Sequence, residues 1–142
     1  MNAEHILIVE DDKLVSSLVR SKLQAGGYQV TQAKNIPQAL EMTDRGIPDL
    51  LILDLTVLDE DPFAGLTDGF AFLRLLRGKC PDLNLPVIIY SADNSESAQA
   101  KAKELEVAAL VPKSARMNEL LATVRKVLDA RQAPQCEASG PQ

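Results

Sequence analysis

Short apolar segments alternate with longer amphipathic segments along most of the chain. Runs rich in aliphatic and β-branched residues occur five times, and each is followed by a segment whose apolar residues recur every three or four positions. The runs are HILIV (5–9), YQVTQA (28–33), LLIL (50–53), PVIIY (86–90) and AALV (108–111). This pattern predicts five β-strands, each followed by an α-helix.

Helix-capping residues set the bounds of the first two predicted helices. The first covers Lys13–Ala25 and is expected to stop at the glycine pair 26–27. The second is expected to begin after Asn35, which can act as an N-cap, and to carry Pro37 in its first turn. Gly46 marks its predicted end.

The last three helices are predicted mainly from their periodicity. Helix 3 should begin at Asp68 or Gly69, and helix 4 (95–105) has an apolar side made mostly of alanine, so we expect it to be loosely held. Helix 5 has the clearest helical period. Its apolar residues are Met117, Leu120, Leu121, Val124, Val127 and Leu128. Residues 131–142 have no apolar period and contain two prolines, so we expect a domain over 4–130 and a disordered C-terminal tail.

The composition of the strands predicts how they are packed. Strands that are apolar nearly throughout are covered on both faces, which is typical of a parallel sheet with helices on each side. The predicted fold is therefore a doubly wound α/β domain with a five-stranded parallel sheet. In such folds ligands bind at the carboxyl ends of the strands, near the point where the strand order reverses.

Size and charge narrow the classes of function. A chain of 142 residues, 46% of them hydrophobic, is long enough for one domain with a substantial core. The net charge of −5 argues against nucleic-acid binding, which normally needs clustered lysine and arginine. No apolar run approaches the roughly 20 residues that span a bilayer, and the N-terminus lacks the features of a signal peptide. We expect a cytoplasmic protein that contacts neither nucleic acid nor membrane.

Carboxylates follow two of the predicted strands. Glu10, Asp11 and Asp12 come directly after strand 1, and Asp54 comes directly after strand 3. Carboxylates that converge at one edge of a sheet repel one another unless a hard cation such as Mg²⁺ offsets their charge. The sequence therefore predicts a magnesium site. For Asp12 a second interpretation stays open, because an aspartate before a helix can simply cap it.

Two further strand ends carry groups suited to phosphate. Strand 4 ends at Ser91, and strand 5 ends at Lys113. A hydroxyl and an ammonium group at the same crevice can hydrogen-bond and neutralise phosphoryl oxygens.

These polar residues follow one order along the chain, which is Glu10–Asp11, Asp54, Ser91 and Lys113. On five βα units, this order resembles the receiver domain of bacterial two-component response regulators, the CheY-like family. The resemblance extends over about residues 4–130. It implies a flavodoxin-like strand order of 2-1-3-4-5.

The resemblance also implies a role for each residue. Mg²⁺ would be bound by Glu10, by Asp11 as the expected direct ligand, by Asp54 and by the backbone carbonyl of Thr56. Asp54 would also be the phosphoacceptor. Ser91 would correspond to the family's switch residue, which responds to phosphorylation. Lys113 would correspond to the family's phosphate-binding lysine.

The function implied is that of a stand-alone receiver domain rather than an enzyme. Its phosphodonor would be a histidine kinase or a histidine phosphotransfer protein, and it would signal through contacts with an unknown downstream protein. One alternative is a pseudo-receiver, an interaction module that takes no phosphate. Another is a haloacid-dehalogenase-type phosphatase, which needs a second acid two residues after Asp54, where this chain has Thr56.

Three features depart from the family pattern. The segment between Asp54 and Gly69 is longer than the usual loop. One interpretation is that part of it selects the partner protein, through the residues Asp59, Glu60, Asp61 and Phe63. The other is that it is a surface insertion without a role, since long surface loops cost little in closure entropy. Strand 5 has Leu110 where the family usually has an aromatic residue. Lys113 is followed by Ser114 rather than by a proline in a cis linkage, so either a cis bond before Ser114 is retained or the loop into helix 5 differs.

Overall fold

The computed structural model of the chain describes residues 4–54, 69–79, 85–92, 96–114 and 116–139. Its strands are β1 (His5–Val9), β2 (Gln29–Ala33), β3 (Leu50–Leu53), β4 (Val87–Ser91) and β5 (Ala109–Pro112). Its helices are α1 (Lys13–Ala25), α2 (Ile36–Arg45), α3 (Gly69–Lys79), α4 (Glu96–Glu104) and α5 (Met117–Ser139). The strands form a parallel sheet in the order β2-β1-β3-β4-β5. The predicted α/β fold and its flavodoxin-like strand order are confirmed.

The sheet is buried on both faces because successive side chains of a strand point to opposite sides. On one face, Leu7 and Leu51 lie in a core cluster with residues of α2 and α3, including Phe72. On the other face, Ile8 and Ile52 lie in a cluster with residues of α1 and α5. Both clusters are needed to cover the sheet, which explains why the strand sequences are apolar without alternation.

The register of the sheet brings the ends of the central strands to one edge. Val9 of β1 pairs with Leu53 of β3, so the residues that follow them, Glu10 and Asp54, lie side by side. Two backbone hydrogen bonds continue the ladder beyond the strands. The amide of Glu10 donates to the carbonyl of Ala33 at 3.0 Å, and the amide of Asp54 donates to the carbonyl of Val9 at 3.0 Å. The backbones of both acids are therefore fixed by the neighbouring strands.

The predicted bounds of α1 and α2 are confirmed. Helix α1 ends at the predicted glycine pair, where Gly27 has a φ of 97°, a conformation that residues with a Cβ atom rarely adopt. Helix α2 is capped by Asn35, whose side chain accepts a hydrogen bond from the amide of Gln38 at 2.8 Å. Gly46 is its C-cap.

The C-terminal helix differs from the sequence prediction. Helix α5 continues to Ser139, so residues 131–139 of the segment that we expected to be disordered are helical. Arg131, Gln132 and Ala133 are good helix formers, so residues 131–133 continue the helix that Met117 begins. The helix also includes Pro134, although proline cannot donate a backbone hydrogen bond. Residues 140–142 lie outside the described part of the chain, and the limit of the domain at residue 130 stays a prediction. Among the described residues, no helix is both long and apolar enough to span a bilayer.

The packing of α5 can be tested at its last core residue. Leu128 is buried in the same cluster as Ile6 and Ile8, so Leu128→Ala should lower the free energy of unfolding by about 2–5 kcal/mol. Urea denaturation measures this loss. Asp129→Ala changes the next residue, which is exposed, and should alter stability by no more than about 0.5 kcal/mol. Equal effects of the two substitutions would contradict the packing described.

Candidate functional site

Three carboxylates converge at the carboxyl ends of β1 and β3. Glu10, Asp11 and Asp54 each offer one oxygen, and these oxygens lie within 4.8 Å of one another. Glu10 and Asp54 are buried, being 4% and 2% exposed, whereas Asp11 is exposed. Oxygen ligands at this spacing fit a hard divalent cation such as Mg²⁺, and the exposed Asp11 leaves the group accessible from solvent.

Lys113 joins the two buried carboxylates. Its ammonium lies 2.7 Å from Oε2 of Glu10 and 3.0 Å from Oδ2 of Asp54, and its side chain is only 23% exposed. The amide of Lys113 donates to the carbonyl of Ser91 at 2.9 Å, which extends β5 by one residue along β4. The lysine thus starts from the far strand and reaches across the sheet edge to β3 and β1.

The electrostatics of the site follow from burial and from this lysine. Burial raises the pKa of Glu10 to about 7, although the hydrogen bonds from Lys113 and from the amide of Asp12 oppose the rise. Burial works against the ammonium of Lys113, but its hydrogen bonds to Glu10 and Asp54 outweigh burial and raise its pKa. Lys113 therefore stays charged and offsets part of the negative charge of the acids.

Asp12 has a different role from its two neighbours. Its Oδ1 accepts hydrogen bonds from the amides of Leu14 at 2.9 Å and Val15 at 3.2 Å, so it is the N-cap of α1. Its own amide donates to Oε1 of Glu10 at 3.1 Å. Of the two interpretations that the sequence left open for Asp12, the structure supports the cap.

Ser91 lies at the same edge as the acids. It is fully buried at 0% exposure, and it pairs with Pro112 of β5. Ser91 is the last residue of β4, and because Ile89 pairs with Leu53, it lies one residue beyond the level of Asp54, toward the carboxyl edge of the sheet. The structure therefore brings the phosphate-directed pair, Ser91 and Lys113, to the side of the proposed phosphoacceptor. Their roles stay predictions.

Some predicted site residues lie outside the described part of the chain. These are Thr56, whose carbonyl was expected to bind the metal, and the loop residues Asp59, Glu60, Asp61 and Phe63. Their roles stay predictions.

Two departures from the family pattern can be located. Leu110 is partly buried and packs against the core cluster that contains Phe72. The described residues contain no cis peptide bond, so the bond between Lys113 and Ser114 is trans. Of the two alternatives, the retained cis bond is therefore wrong, and the difference in the loop into α5 stays a prediction.

The sequence did not reveal the ion pairs of Lys113. The lysine was assigned to phosphate alone, whereas in the structure it contacts Glu10 and Asp54 directly. The sequence did contain one indication of these ion pairs. It predicted three acids and one lysine at the same edge of the sheet, and buried carboxylates need a nearby positive charge.

A comparison with models of protein families identifies the family of this chain. The model of the response regulator receiver domain matches residues 6–125. The chain belongs to this family. The matched residues include the site at the carboxyl ends of the described strands.

Several known proteins are similar to this receiver domain. Response regulator MprA of Mycobacterium leprae is 33% identical over 123 residues, which are 87% of this chain and 50% of that protein. The non-phosphorylated HemR receiver domain from Leptospira biflexa is 27% identical, with a TM-score of 0.77, and the match covers 88% of this chain and 94% of that one. A CheY-like receiver domain protein from Methanospirillum hungatei, 20% identical, has the same fold with a TM-score of 0.80, covering 92% and 98%.

The chain spans about half the length of the curated relatives it matches. A solved structure from Staphylococcus aureus with 24% identity is described as a DNA-binding response regulator of the LuxR family. The expectations that this receiver domain stands alone and contacts no nucleic acid therefore stay predictions.

The ion pairs of Lys113 can be tested without metal. In chelator-treated buffer, Lys113→Met should lower the free energy of unfolding by roughly 3 kcal/mol, because two buried carboxylates lose their counter-charge. Urea denaturation measures the change. Lys126→Met removes the same charge from an exposed position of α5 and should change stability by no more than about 0.5 kcal/mol. If Lys113→Met unfolded at the same urea concentration as the unmodified protein, the ion pairs would carry no net stability.

Proposed function

We propose that this receiver domain is a phosphoacceptor in a two-component phosphorelay. Asp54 receives a phosphoryl group from the phosphohistidine of a histidine kinase or a histidine phosphotransfer protein, in a reaction that depends on Mg²⁺. The observation that carries the proposal is the contact of Lys113 with Asp54 inside a group of three carboxylates. A carboxylate beside a fixed cation and a set of metal ligands is what phosphoryl transfer requires.

The chemistry centres on the carboxylate of Asp54. One of its oxygens attacks the phosphorus atom, a P–O bond forms, and the P–N bond to the donor imidazole breaks, so the donor leaves as histidine. When bound, Mg²⁺ would offset the negative charge on the phosphoryl oxygens. Lys113 is already 3.0 Å from Oδ2 of Asp54 and needs little movement to contact an oxygen of the transferred group. The backbone bond from Asp54 to Val9 holds the nucleophile in place.

Signalling would follow from the added charge. A phosphoryl group brings about −1.5 to −2 charges to a buried edge of the sheet, and Ser91, at the end of the neighbouring strand, would donate a hydrogen bond to it. The strand that carries Lys113 leads directly into the loop before α5, so a displaced lysine would change the surface formed by α4, β5 and α5. We infer that the output is a contact with another protein and that the domain is not itself an enzyme.

A second candidate is the pseudo-receiver, which binds partners without taking phosphate. Leu110 favours it, since β5 lacks the aromatic side chain that reports phosphorylation in the family. The intact set of acids together with Lys113 and Ser91 favours the phosphoacceptor. Phosphorylation itself separates the two.

Incubation with acetyl phosphate and Mg²⁺ tests the phosphoacceptor directly. Intact-protein mass spectrometry should detect one added phosphoryl group, and peptide mapping after reductive trapping should place it at Asp54. Asp54→Asn or removal of divalent cations should abolish the addition, because the nucleophile or the charge compensation is lost. Asp129→Asn, at an exposed position of α5, is the matched control and should be labelled normally. A protein that is never labelled would support the pseudo-receiver.

Calorimetry can distinguish the proposed metal ligand Asp11 from the helix cap Asp12. Asp11→Asn should weaken Mg²⁺ binding by about tenfold, equivalent to about 1.4 kcal/mol, because one charged ligand is lost. Asp12→Asn should have little effect, since asparagine caps a helix as well as aspartate does. Isothermal titration with MgCl₂ measures both affinities. Equal losses would show that Asp12 belongs to the metal site.

A further inference from the structure

A cavity lies between α4 and the edge strand β5. It has a volume of about 560 Å³, which is within the range of small-molecule sites. The lining residues that matter for its chemistry are Ala102, Lys103, Val107, Ala109, Leu110 and Pro112. None of them belongs to the group of three carboxylates, so the cavity is separate from the acid site.

Small side chains explain why the space between the helix and the strand is not filled. Ala102 of α4 is buried in this lining, at 4% exposure, and β5 contributes Ala109. An alanine side chain ends at Cβ, so neither residue reaches far into a volume that larger aliphatic side chains fill in most protein cores. The cavity therefore follows from the alanine-rich sequence of this helix and strand.

The wall of the cavity is apolar and belongs to the packed core. Val107 and Leu110 pack against the core cluster that contains Phe72. Leu110 and Pro112 are two positions apart on β5, so their side chains point to the same face of the sheet. A ligand that covers these residues removes apolar surface from water, which favours an apolar molecule.

The turn between α4 and β5 fixes one side of the cavity. The amide of Val107 donates to the carbonyl of Ala102 at 3.1 Å, and the amide of Glu106 donates to the carbonyl of Lys103 at 3.1 Å. Glu106 has a φ of 56°, in the left-handed region. These two bonds and this conformation form a Schellman motif. The backbone of the lining is thus ordered before a ligand binds, which lowers the entropic cost of binding.

The lining carries one charged group. The structure describes all the residues of this lining, and Lys103 is the charged one among them, so no carboxylate of the lining neutralises its exposed ammonium. Gln99 also lines the cavity, but it already takes part in another interaction. A single ammonium beside an apolar wall matches a molecule with one negative charge. A doubly charged group such as phosphate would keep one charge without a partner in the lining.

We propose that the cavity between α4 and β5 binds a small monocarboxylate with an apolar body. The apolar body covers Val107, Leu110 and Pro112, and the carboxylate pairs with the ammonium of Lys103. Charge complementarity and the apolar wall together select this class of ligand. Binding at this cavity does not depend on the proposed phosphorylation of Asp54.

The ligand would lie one residue from the lysine of the acid site. Pro112 lines the cavity and pairs with Ser91 of β4. The next residue is Lys113, whose ammonium contacts Glu10 and Asp54. Any effect of the ligand on cation affinity at the acid site must equal the effect of the cation on ligand affinity. This consequence, unlike the binding itself, rests on the proposed function.

Nuclear magnetic resonance of the full chain tests the proposal. The ¹⁵N-labelled protein in metal-free buffer is titrated with 4-phenylbutyrate and, separately, with the neutral 4-phenyl-1-butanol. We expect saturable shifts at the amides of Lys103, Val107 and Leu110. Lys103→Gln should weaken binding of the carboxylate by about fivefold and leave the affinity for the alcohol unchanged, because only the carboxylate pairs with the ammonium. Lys126→Gln, at an exposed position of α5, should leave both affinities unchanged.

A second pair of variants tests the cavity itself. Ala102→Leu puts a larger side chain into the space and should lower the affinity for both ligands by at least about tenfold. Ala100→Leu makes the same change at an exposed position of α4 and should leave both affinities unchanged. The amide spectrum shows whether each variant is folded. Lys103→Gln changes an exposed residue, so it tests the proposal even if Ala102→Leu does not fold.

Several results would overturn the proposal. It fails if 4-phenylbutyrate causes no saturable shifts, if folded Ala102→Leu binds as the unmodified protein does, or if Lys103→Gln weakens both ligands alike. Shifts centred on Ser91 and Lys113 would place the carboxylate at the acid site instead. Shifts at the cavity on concentrating the protein without ligand would show that a second copy of the chain occupies it. Labelling of Asp54 by acetyl phosphate is a separate measurement, so either result can fail without the other.

Discussion

The burial of like charges at one edge of the sheet is the constraint on which the site depends. Glu10 and Asp54 are almost fully enclosed, and Asp11 adds a third carboxylate within a few ångströms. Such a group is stable only if positive charge lies among its oxygens. Lys113 supplies that charge from within the protein, with contacts of 2.7 and 3.0 Å. The proposed metal ion would therefore meet a site that is already partly neutralised.

The parallel sheet brings these charged side chains together without placing them in the hydrophobic core. The strands must be covered on both faces, which leaves their carboxyl ends as the place where polar side chains can meet solvent. The ladder hydrogen bonds that continue beyond β1 and β3 fix the backbones of Glu10 and Asp54. The side chains are thus positioned by the same register that builds the core, and a shift in the packing of α5 or α3 would be felt at the acids.

The sequence was sufficient for the features that depend on local pattern. The run LLIL followed by Asp54 marks a buried strand that ends in a carboxylate, and Asn35, Gly27 and Gly46 mark helix ends by their own chemistry. The contact between Lys113 and Asp54 joins residues 59 positions apart, and its length depends on how β3, β4 and β5 twist together. No local pattern carries that information.

Other features were missed for a similar reason. A cavity beside Glu10 is lined by residues of α1, β2 and α2, which come together only in the folded chain. The helical extension of α5 was missed because residues 131–139 have no apolar period. The lack of such a period indicates that a segment is not buried, but it does not prevent the segment from forming a helix.

The run Glu10–Asp11–Asp12 shows why adjacent acids cannot be treated as equivalent when related sequences are compared. The cap formed by Asp12 needs only a short side chain with an acceptor oxygen, so serine or threonine would serve at that position. In the proposed metal site, position 11 would offer an exposed oxygen to the cation and would need negative charge. Position 10 needs a side chain that is both charged and long. One of its oxygens accepts a hydrogen bond from the amide of Asp12, and the other contacts the ammonium of Lys113. Each of these three adjacent positions therefore tolerates a different set of substitutions. The number of acidic residues in this segment does not show whether a related sequence keeps the site.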